Sequence, residues 1–316
     1  MFSLDLEVLL MGEIIIGTRS SKLAMIQTDR VINALKKQGV TQPIKIKDVM
    51  TEGDQNLQAP LASLGRGVFL EALEEQLLDG SIDMAVHSLK DVPVSMPEGL
   101  TIACIPERED HRDAYIANGD IGLHDLPAGA VIGTSSLRRA AQLLAKRPDL
   151  RTKWIRGPID SRIEQLHNGD FDAIILAVAG MKRLGIDEDL ITEYLPEAHF
   201  VPAMGQGALA IECRSEDEAM RKILAMIHDE EAAQAVRTER LFLQAFDEGE
   251  QAPIGGYAFV SDGMIHLRGM VISLNGQTVL KYEASGERPE AVAQEVADVL
   301  INQGAMKIIA EAKQGM

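Results

Sequence analysis

Short apolar runs of strand length alternate with amphipathic segments of helical period through the first two thirds of this chain, and that rhythm narrows the fold more than any other feature. Residues 13–17 read as a strand, 22–37 as a helix, and 44–49 as a strand with alternating side chains. A helix over 68–78 and strands over 82–86 and 100–105 follow. After the charged stretch 106–112 the pattern restarts, with strands at 130–133, 151–155 and 172–178 and helices at 136–146 and 159–168. Such succession implies parallel pairing with right-handed crossovers, and ligands at strand carboxyl ends beside helix N-termini.

The last third changes character. Residues 219–246 and 289–312 read as helical, and between them 257–260, 264–273 and 278–285 read as a three-stranded antiparallel meander turned at Ser261-Asp262-Gly263 and Asn275-Gly276. A small α+β domain therefore begins near residue 225. With 316 residues the chain suits two or three domains of about 100 residues each.

Charge restricts the partners. A formal net charge of −17 repels nucleic acid and anionic membranes, so any anion site has to be local. Aromatic residues make up 4% of the chain, too few for base-stacking platforms. The two cysteines, Cys104 and Cys213, lie in apolar segments and read as buried thiols of a reducing cytoplasm rather than a disulfide or a zinc set. Residues 1–11 carry Asp5 and Glu7 and no Lys or Arg, which is wrong for a secretory signal. They are expected to be an unstructured leader with Met11 as an alternative start, in a cytoplasmic monomer that neither spans nor binds a membrane.

Five segments set Arg or Lys beside Ser, Thr and Gly where a strand should end and a helix begin. They are Gly17-Thr18-Arg19-Ser20-Ser21, Gly65-Arg66-Gly67, His87-Ser88-Leu89-Lys90-Asp91, Gly133-Thr134-Ser135-Ser136-Leu137-Arg138-Arg139 and Arg156-Gly157-Pro158-Ile159-Asp160-Ser161-Arg162. Free N–H groups, hydroxyls and guanidinium forks accept anions, so the set points to a polyanionic small molecule. Asp91, just after a buried strand and beside Lys90, suits the stabilising of a positive intermediate and the movement of a proton. On that segment alone the plainer reading, an acid capping its own helix, stands ahead. His87 reads as a satisfied, half-buried imidazole, and the other histidines are scattered singly; no catalytic Ser elbow, phosphate-binding loop or metal-spaced cluster is visible.

Together with DAIILAVAGMKRLG (172–185), PAMGQGALAIECR (202–214) and PIGGYA (253–258), these segments resemble, in order, the porphobilinogen deaminase (hydroxymethylbilane synthase) family from about residue 14 to 260. The resemblance implies an α/β fold of three domains. The first two are similar to periplasmic binding proteins with mixed, mainly parallel sheets, and the third is a small α+β domain with a three-stranded antiparallel sheet. On this chain they would cover 1–106 plus 204–224, 107–203 and 225–316. The implied reaction joins porphobilinogen molecules head to tail, each losing ammonia to give an electrophilic azafulvene. By resemblance Asp91 would hold the pyrrole N–H groups, stabilise the cationic intermediates and manage protons, with Lys90, Arg19, Arg156 and Arg162 as catalytic cations that bind side-chain carboxylates or assist ammonia loss. Ser21, Arg66, Phe69, Ser88, Thr134, Ser135, Ser136, Arg138, Arg139, Arg183 and Gln206 would bind the anionic pyrrole substrate.

The family attaches a dipyrromethane primer to a cysteine by a thioether. This chain carries Glu250 at that position, within Asp247-Glu248-Gly249-Glu250-Gln251-Ala252-Pro253. A carboxylate forms at most a labile ester, and facing the primer's own carboxylates it repels each by roughly 1 kcal/mol in water at 4 Å and about 4 at a protein-like dielectric. The family's lysine-bearing loop is shortened to Ser63-Leu64-Gly65-Arg66-Gly67, Glu52 replaces an Arg, and Pro158 replaces an Asn. The expected enzyme is therefore primed unusually, by a free pyrrole or a noncovalent dipyrrole. Two alternatives stay open: a divergent paralogue making a shorter product, and a non-catalytic binder of porphobilinogen or other pyrrole carboxylates.

Overall fold

The computed structural model describes residues 12–50, 70–246 and 252–314. The leader at 1–11 and the sites expected at Glu52, Arg66, Phe69, Glu248 and Glu250 lie outside these residues. In chain order the elements are β1 (Ile14–Arg19), α1 (Lys22–Lys37), β2 (Ile44–Val49), α2 (Glu71–Leu78), β3 (Met84–Ser88), β4 (Leu100–Cys104), β5 (Asp113–Ala117) and β6 (Val131–Gly133). There follow α3 (Leu137–Lys146), β7 (Arg151–Lys153), α4 (Ile159–His167), β8 (Ala173–Ala177), α5 (Val178–Leu184), β9 (Glu193–Leu195) and β10 (Leu209–Arg214). The chain ends in α6 (Glu218–Ala225), α7 (Glu230–Gln244), β11 (Ile254–Ser261), β12 (Met264–Ile272), β13 (Val279–Gly286), α8 (Pro289–Asn302) and α9 (Ala305–Gln314).

The chain divides into two compact units. The first takes Met1–Arg108 and Ala208–Ala233, the second Glu109–Gly207 and Gln234–Met316.

In the first unit the strands run β2-β1-β3-β10-β4. β1 is parallel to β2 and β3, whereas β10 is antiparallel to β3 and β4. The period-2 pattern of the strands sorts the apolar side chains onto two faces. Ile14, Ile16, Met84, Val86, Ile211 and Cys213 pack against Val31, Ile32 and Leu35 of α1 and Met220, Ile223 and Leu224 of α6. On the opposite face Ala85 packs with Leu73 and Leu77 of α2 and with Ile82. β3 begins two residues later than the apolar pattern indicates. Ile82 belongs to the turn after α2, where its N–H donates to the Gln76 carbonyl, and Asp83 accepts from the Ile15 N–H at 2.8 Å. Ser88 thereby becomes the last residue of the strand.

The second unit holds the sheet β7-β6-β8-β5-β9, with β6 parallel to β7 and β8 and β5 antiparallel to β8 and β9. It also holds the expected antiparallel meander, β11-β12-β13. Gly269 lets β12 approach closely, since a Cβ there would stand 2.5 Å from Val296 of α8 and 2.7 Å from Phe242 of α7. Both long helical stretches read from the sequence are broken. Between α6 and α7 the Asp229 side chain accepts from the Ala232 N–H at 2.9 Å and starts a new helix, and Gly304, at φ +101°, separates α8 from α9.

Gly207 closes the first stretch of the second unit. Its carbonyl accepts from the Glu109 N–H at 3.1 Å, its φ is +89°, and a Cβ would collide with the Glu109 carbonyl oxygen. Gly207→Ala is expected to cost at least about 1–3 kcal/mol from the backbone conformation alone, read as a lower urea midpoint. An unchanged midpoint would show that the two segments can part without loss.

Candidate active site

In the first unit, β1 and β3 are parallel neighbours, so Arg19 and the segment after Ser88 lie on one edge of the sheet. Arg19 is the last residue of β1, and Ser21 caps α1 by accepting from the Ala24 N–H at 3.2 Å. Beyond β3 a single 3-10 turn, Leu89–Asp91, carries Lys90 and Asp91. The Leu89 N–H donates to the Ala208 carbonyl at 3.0 Å, and the Val92 N–H closes the turn on the Leu89 carbonyl at 3.0 Å. No α-helix follows for Asp91 to cap, because the chain runs on irregularly to β4, so the plainer reading of this acid loses its basis. Gln27 of α1, buried, donates to the Ser88 hydroxyl at 3.0 Å. Sequence reading missed Gln27, since a glutamine on a helix carries no local mark of its partner.

In the second unit β6 ends at Gly133 and the hydroxyl run Thr134, Ser135 and Ser136 leads into α3. Ser136 donates its N–H to the Thr134 hydroxyl at 3.2 Å and accepts from the Arg139 N–H at 3.4 Å, capping α3. The two arginines of the first turn converge on Asp113, a wholly buried carboxylate at the start of β5. Arg139 donates to Asp113 Oδ1 through Nη2 at 2.6 Å and Nε at 3.0 Å, and to the Ile175 carbonyl at 3.1 Å. Arg138 Nη1 lies 2.9 Å from Asp113 Oδ2 and donates to the Val201 carbonyl at 2.6 Å. Gln206 completes the group, donating to Asp113 Oδ1 at 2.9 Å and to the His111 carbonyl at 2.8 Å. Burial pushes the Asp113 carboxyl up, but the Arg138 and Arg139 guanidiniums outweigh it and hold it well below the usual carboxylate range. Arg183, also buried, donates to the Gly207 carbonyl at 2.6 Å.

A second set of cations lies after β7. Arg162, in α4, donates through Nε to the Gly157 carbonyl at 2.8 Å. Burial lowers its guanidinium to about 10, and the positive charges of Arg139 and Arg156 act in the same direction. Arg156 Nη1 is a buried donor with no hydrogen-bond partner among the described residues. Buried N–H groups of guanidinium ordinarily find an acceptor, so an orphan Arg156 donor close to the Arg162 guanidinium is a place for an anion. Among the described residues no group of His, Cys, Asp or Glu could hold a metal ion. The two thiols are buried, which raises Cys104 to about 12 and Cys213 to about 11, the latter also through Asp217.

Residues 14–222 match the family model "Porphobilinogen deaminase, dipyromethane cofactor binding domain" and residues 233–302 match "Porphobilinogen deaminase, C-terminal domain". The chain belongs to the porphobilinogen deaminase family. The porphobilinogen deaminase of Oceanobacillus iheyensis is 52% identical over 307 residues, covering 97% of this chain and 99% of that protein. The porphobilinogen deaminase of Geobacillus kaustophilus is 48% identical over 305 residues, covering 96% and 99%, and that of Staphylococcus carnosus 46% over 301, covering 95% and 98%. Among solved structures, the methionine binding protein MetQ aligns at TM-score 0.44 and 12% identity, covering 72% of this chain and 96% of that one. An arginine-specific periplasmic binding protein of Salmonella typhimurium aligns at TM-score 0.39 and 14% identity, covering 69% and 92%. Likeness at that distance says nothing of ligand or activity in this porphobilinogen deaminase family member.

Proposed function

We propose that the chain, a transferase of this family, removes ammonia from porphobilinogen and joins the rings head to tail into a linear polypyrrole of the hydroxymethylbilane type. The observation that carries the reading is the guanidinium group Arg139, Arg156 and Arg162, in which Arg139 and Arg156 both act on Arg162 and a buried Arg156 donor lacks an acceptor among the described residues. A pyrrole bearing acetate and propionate supplies carboxylates that answer both conditions.

In the chemistry assigned to the chain, the aminomethyl group reacts as its ammonium: the C–N bond breaks as the pyrrole nitrogen's electron pair feeds into the ring, neutral ammonia departs, and the ring is left as the cationic azafulvene. The free α-carbon of the growing chain attacks the exocyclic methylene, a C–C bond forms, and the α-hydrogen leaves as a proton. Asp91 stabilises the cationic ring and relays that proton, and Lys90 and Arg19 on the same sheet edge assist the leaving amine. Arg139, Arg156 and Arg162 orient the ring carboxylates, with Thr134, Ser135 and Ser136 adding hydroxyl and N–H donors at the start of α3.

The described residues fit the carboxylates of a dipyrromethane but not its thioether. Neither thiol is exposed, and burial keeps both protonated, whereas the nucleophile is the thiolate. Bound noncovalently, dipyrromethane would supply the free α-carbon that receives the first ring. Protein expressed with abundant porphobilinogen is expected to keep its unmodified mass before and after alkaline hydroxylamine. An adduct that resists hydroxylamine would contradict noncovalent priming. Chromatography of the oxidised products after incubation with porphobilinogen tests the reaction itself, a tetrapyrrole being expected. Calorimetric binding with no ammonia released would leave a binder of pyrrole carboxylates, and a dipyrrole alone would leave the shorter-product paralogue. The same reading keeps the chain a cytoplasmic monomer; among the described residues no helix is long and apolar enough to cross a membrane.

A further inference from the structure

One ionisable pair in the first unit has no part in the chemistry above. Glu212, in β10, is 0% exposed, and His87, in β3, is 5% exposed. Their strands are antiparallel neighbours in which Ala210 opposes His87 and Glu212 opposes Ala85, so the two side chains are diagonal neighbours on the face that packs against α2. His87 Nε2 lies 2.9 Å from Glu212 Oε2, while Oε1 is buried with no hydrogen-bond partner among the described residues. Glu74 of α2 faces the same pair. Burial first, and then the charge of Glu212, raises the Glu74 carboxyl, while His87 lowers it.

Stability alone is a poor reason for such a pair. Well-packed apolar residues at two facing strand positions would serve the sheet as well or better, and a half-satisfied carboxylate is costly there. Its location is informative. His87 is one residue before Ser88 and three and four before Lys90 and Asp91, and alternation sends the Ser88 side chain to the other face, where Gln27 holds it. The end of β3 is thus gripped from both faces: His87 by Glu212 on one, Ser88 by Gln27 on the other.

We propose that His87 and Glu212 form a buried positioning pair whose hydrogen bond fixes the end of β3 and so sets where the Leu89–Asp91 turn presents Asp91. This rests on the assignment of Asp91 to the deamination. The pair touches no reacting atom, and it acts through the geometry of the turn.

The test measures kcat and KM for ammonia release in variants that break or keep the hydrogen bond, alongside Asp91→Ala. His87→Leu and Glu212→Leu are expected to lower kcat by at least about tenfold with KM within about twofold of the parent, while His87→Gln, which keeps a donor within reach of Glu212, stays within about threefold. Should His87→Leu fail to fold, His87→Asn is read instead, because its shorter amide falls short of Glu212 and the same loss of kcat is expected. A folded His87→Leu or His87→Asn protein with parental kcat, or a His87→Gln protein as impaired as His87→Leu, would overturn the proposal. If Asp91→Ala remains active, the assignment of Asp91 is what fails; if it is inactive while His87→Leu keeps its kcat, only the positioning pair fails.

Discussion

Asp91→Ala is expected to cut ammonia release from porphobilinogen by roughly a hundred- to ten-thousand-fold, the range for removing a positioned proton-transfer group. The fold should survive, because the Leu89–Asp91 turn is held by backbone bonds from Leu89 to Ala208 and from Val92 to Leu89, neither of which uses the carboxylate. An ammonia assay on freshly purified protein, with circular dichroism as the control for folding, separates loss of chemistry from loss of structure. Asp91→Asn keeps the shape and the hydrogen-bonding oxygen but not the charge. If the charge is what stabilises the cationic ring, this variant falls nearly as far as Asp91→Ala. Release within a factor of about three of the parent would be too small for a proton-transfer group and would remove Asp91 from the mechanism.

The largest loss of stability is expected at Asp113. It is wholly buried, and its carboxylate is the shared partner of Arg138, Arg139 and Gln206. Taking away one member of a buried pair costs about 3–5 kcal/mol because the other charge stays behind unpaired. At Asp113 two guanidiniums stay behind. Asp113→Ala should therefore lower the thermal midpoint sharply and loosen Arg139, so that affinity for porphobilinogen falls together with stability. The pH dependence has a definite sign. Because the folded-state carboxyl is held below its ordinary value of 3.8, its contribution is complete above that value and is lost as the pH falls toward the folded-state value. Asp113→Asn, though less stable near neutrality, should show a shallower decline below about pH 4. Parallel acid-denaturation slopes in the two proteins would mean that Asp113 does not carry that part of the profile.

How much of this was legible in the sequence depended on whether the determining contact was local. Helix α1 runs over Lys22–Lys37 as the periodicity indicates, because its cap, its apolar stripe and its basic last turn all lie within that window. The segment from Gly133 to Arg139 likewise runs from a strand end into a helix start, since Gly133, Ser136 and Arg139 are punctuated locally. Asp113 was missed for the opposite reason. Its partners are 25 or more positions away, and a lone acid opening the apolar run Ala114-Tyr115-Ile116 offered only a faint mark of a buried ion pair. The antiparallel placement of β5 and β10 was equally hidden. Their places in the sheets are set by partners from distant parts of the chain, which a reading tuned to strand–helix–strand succession does not supply. Glu212 illustrates the cost: within ALAIECR it looks like an interruption of a buried strand, and only the neighbouring β3 reveals its partner, His87.

The sheet order β2-β1-β3-β10-β4 has a consequence for synthesis. Among the described residues β4 joins its sheet only through β10, and translation delivers β10 after all of Glu109–Gly207. A nascent chain halted before Leu209 has no means of zipping β3 to β4, and it displays two open strand edges to the crowded space outside the ribosome. The N-terminal third of this protein is therefore made first but finished late, since its sheet waits for a strand that arrives only after Gly207.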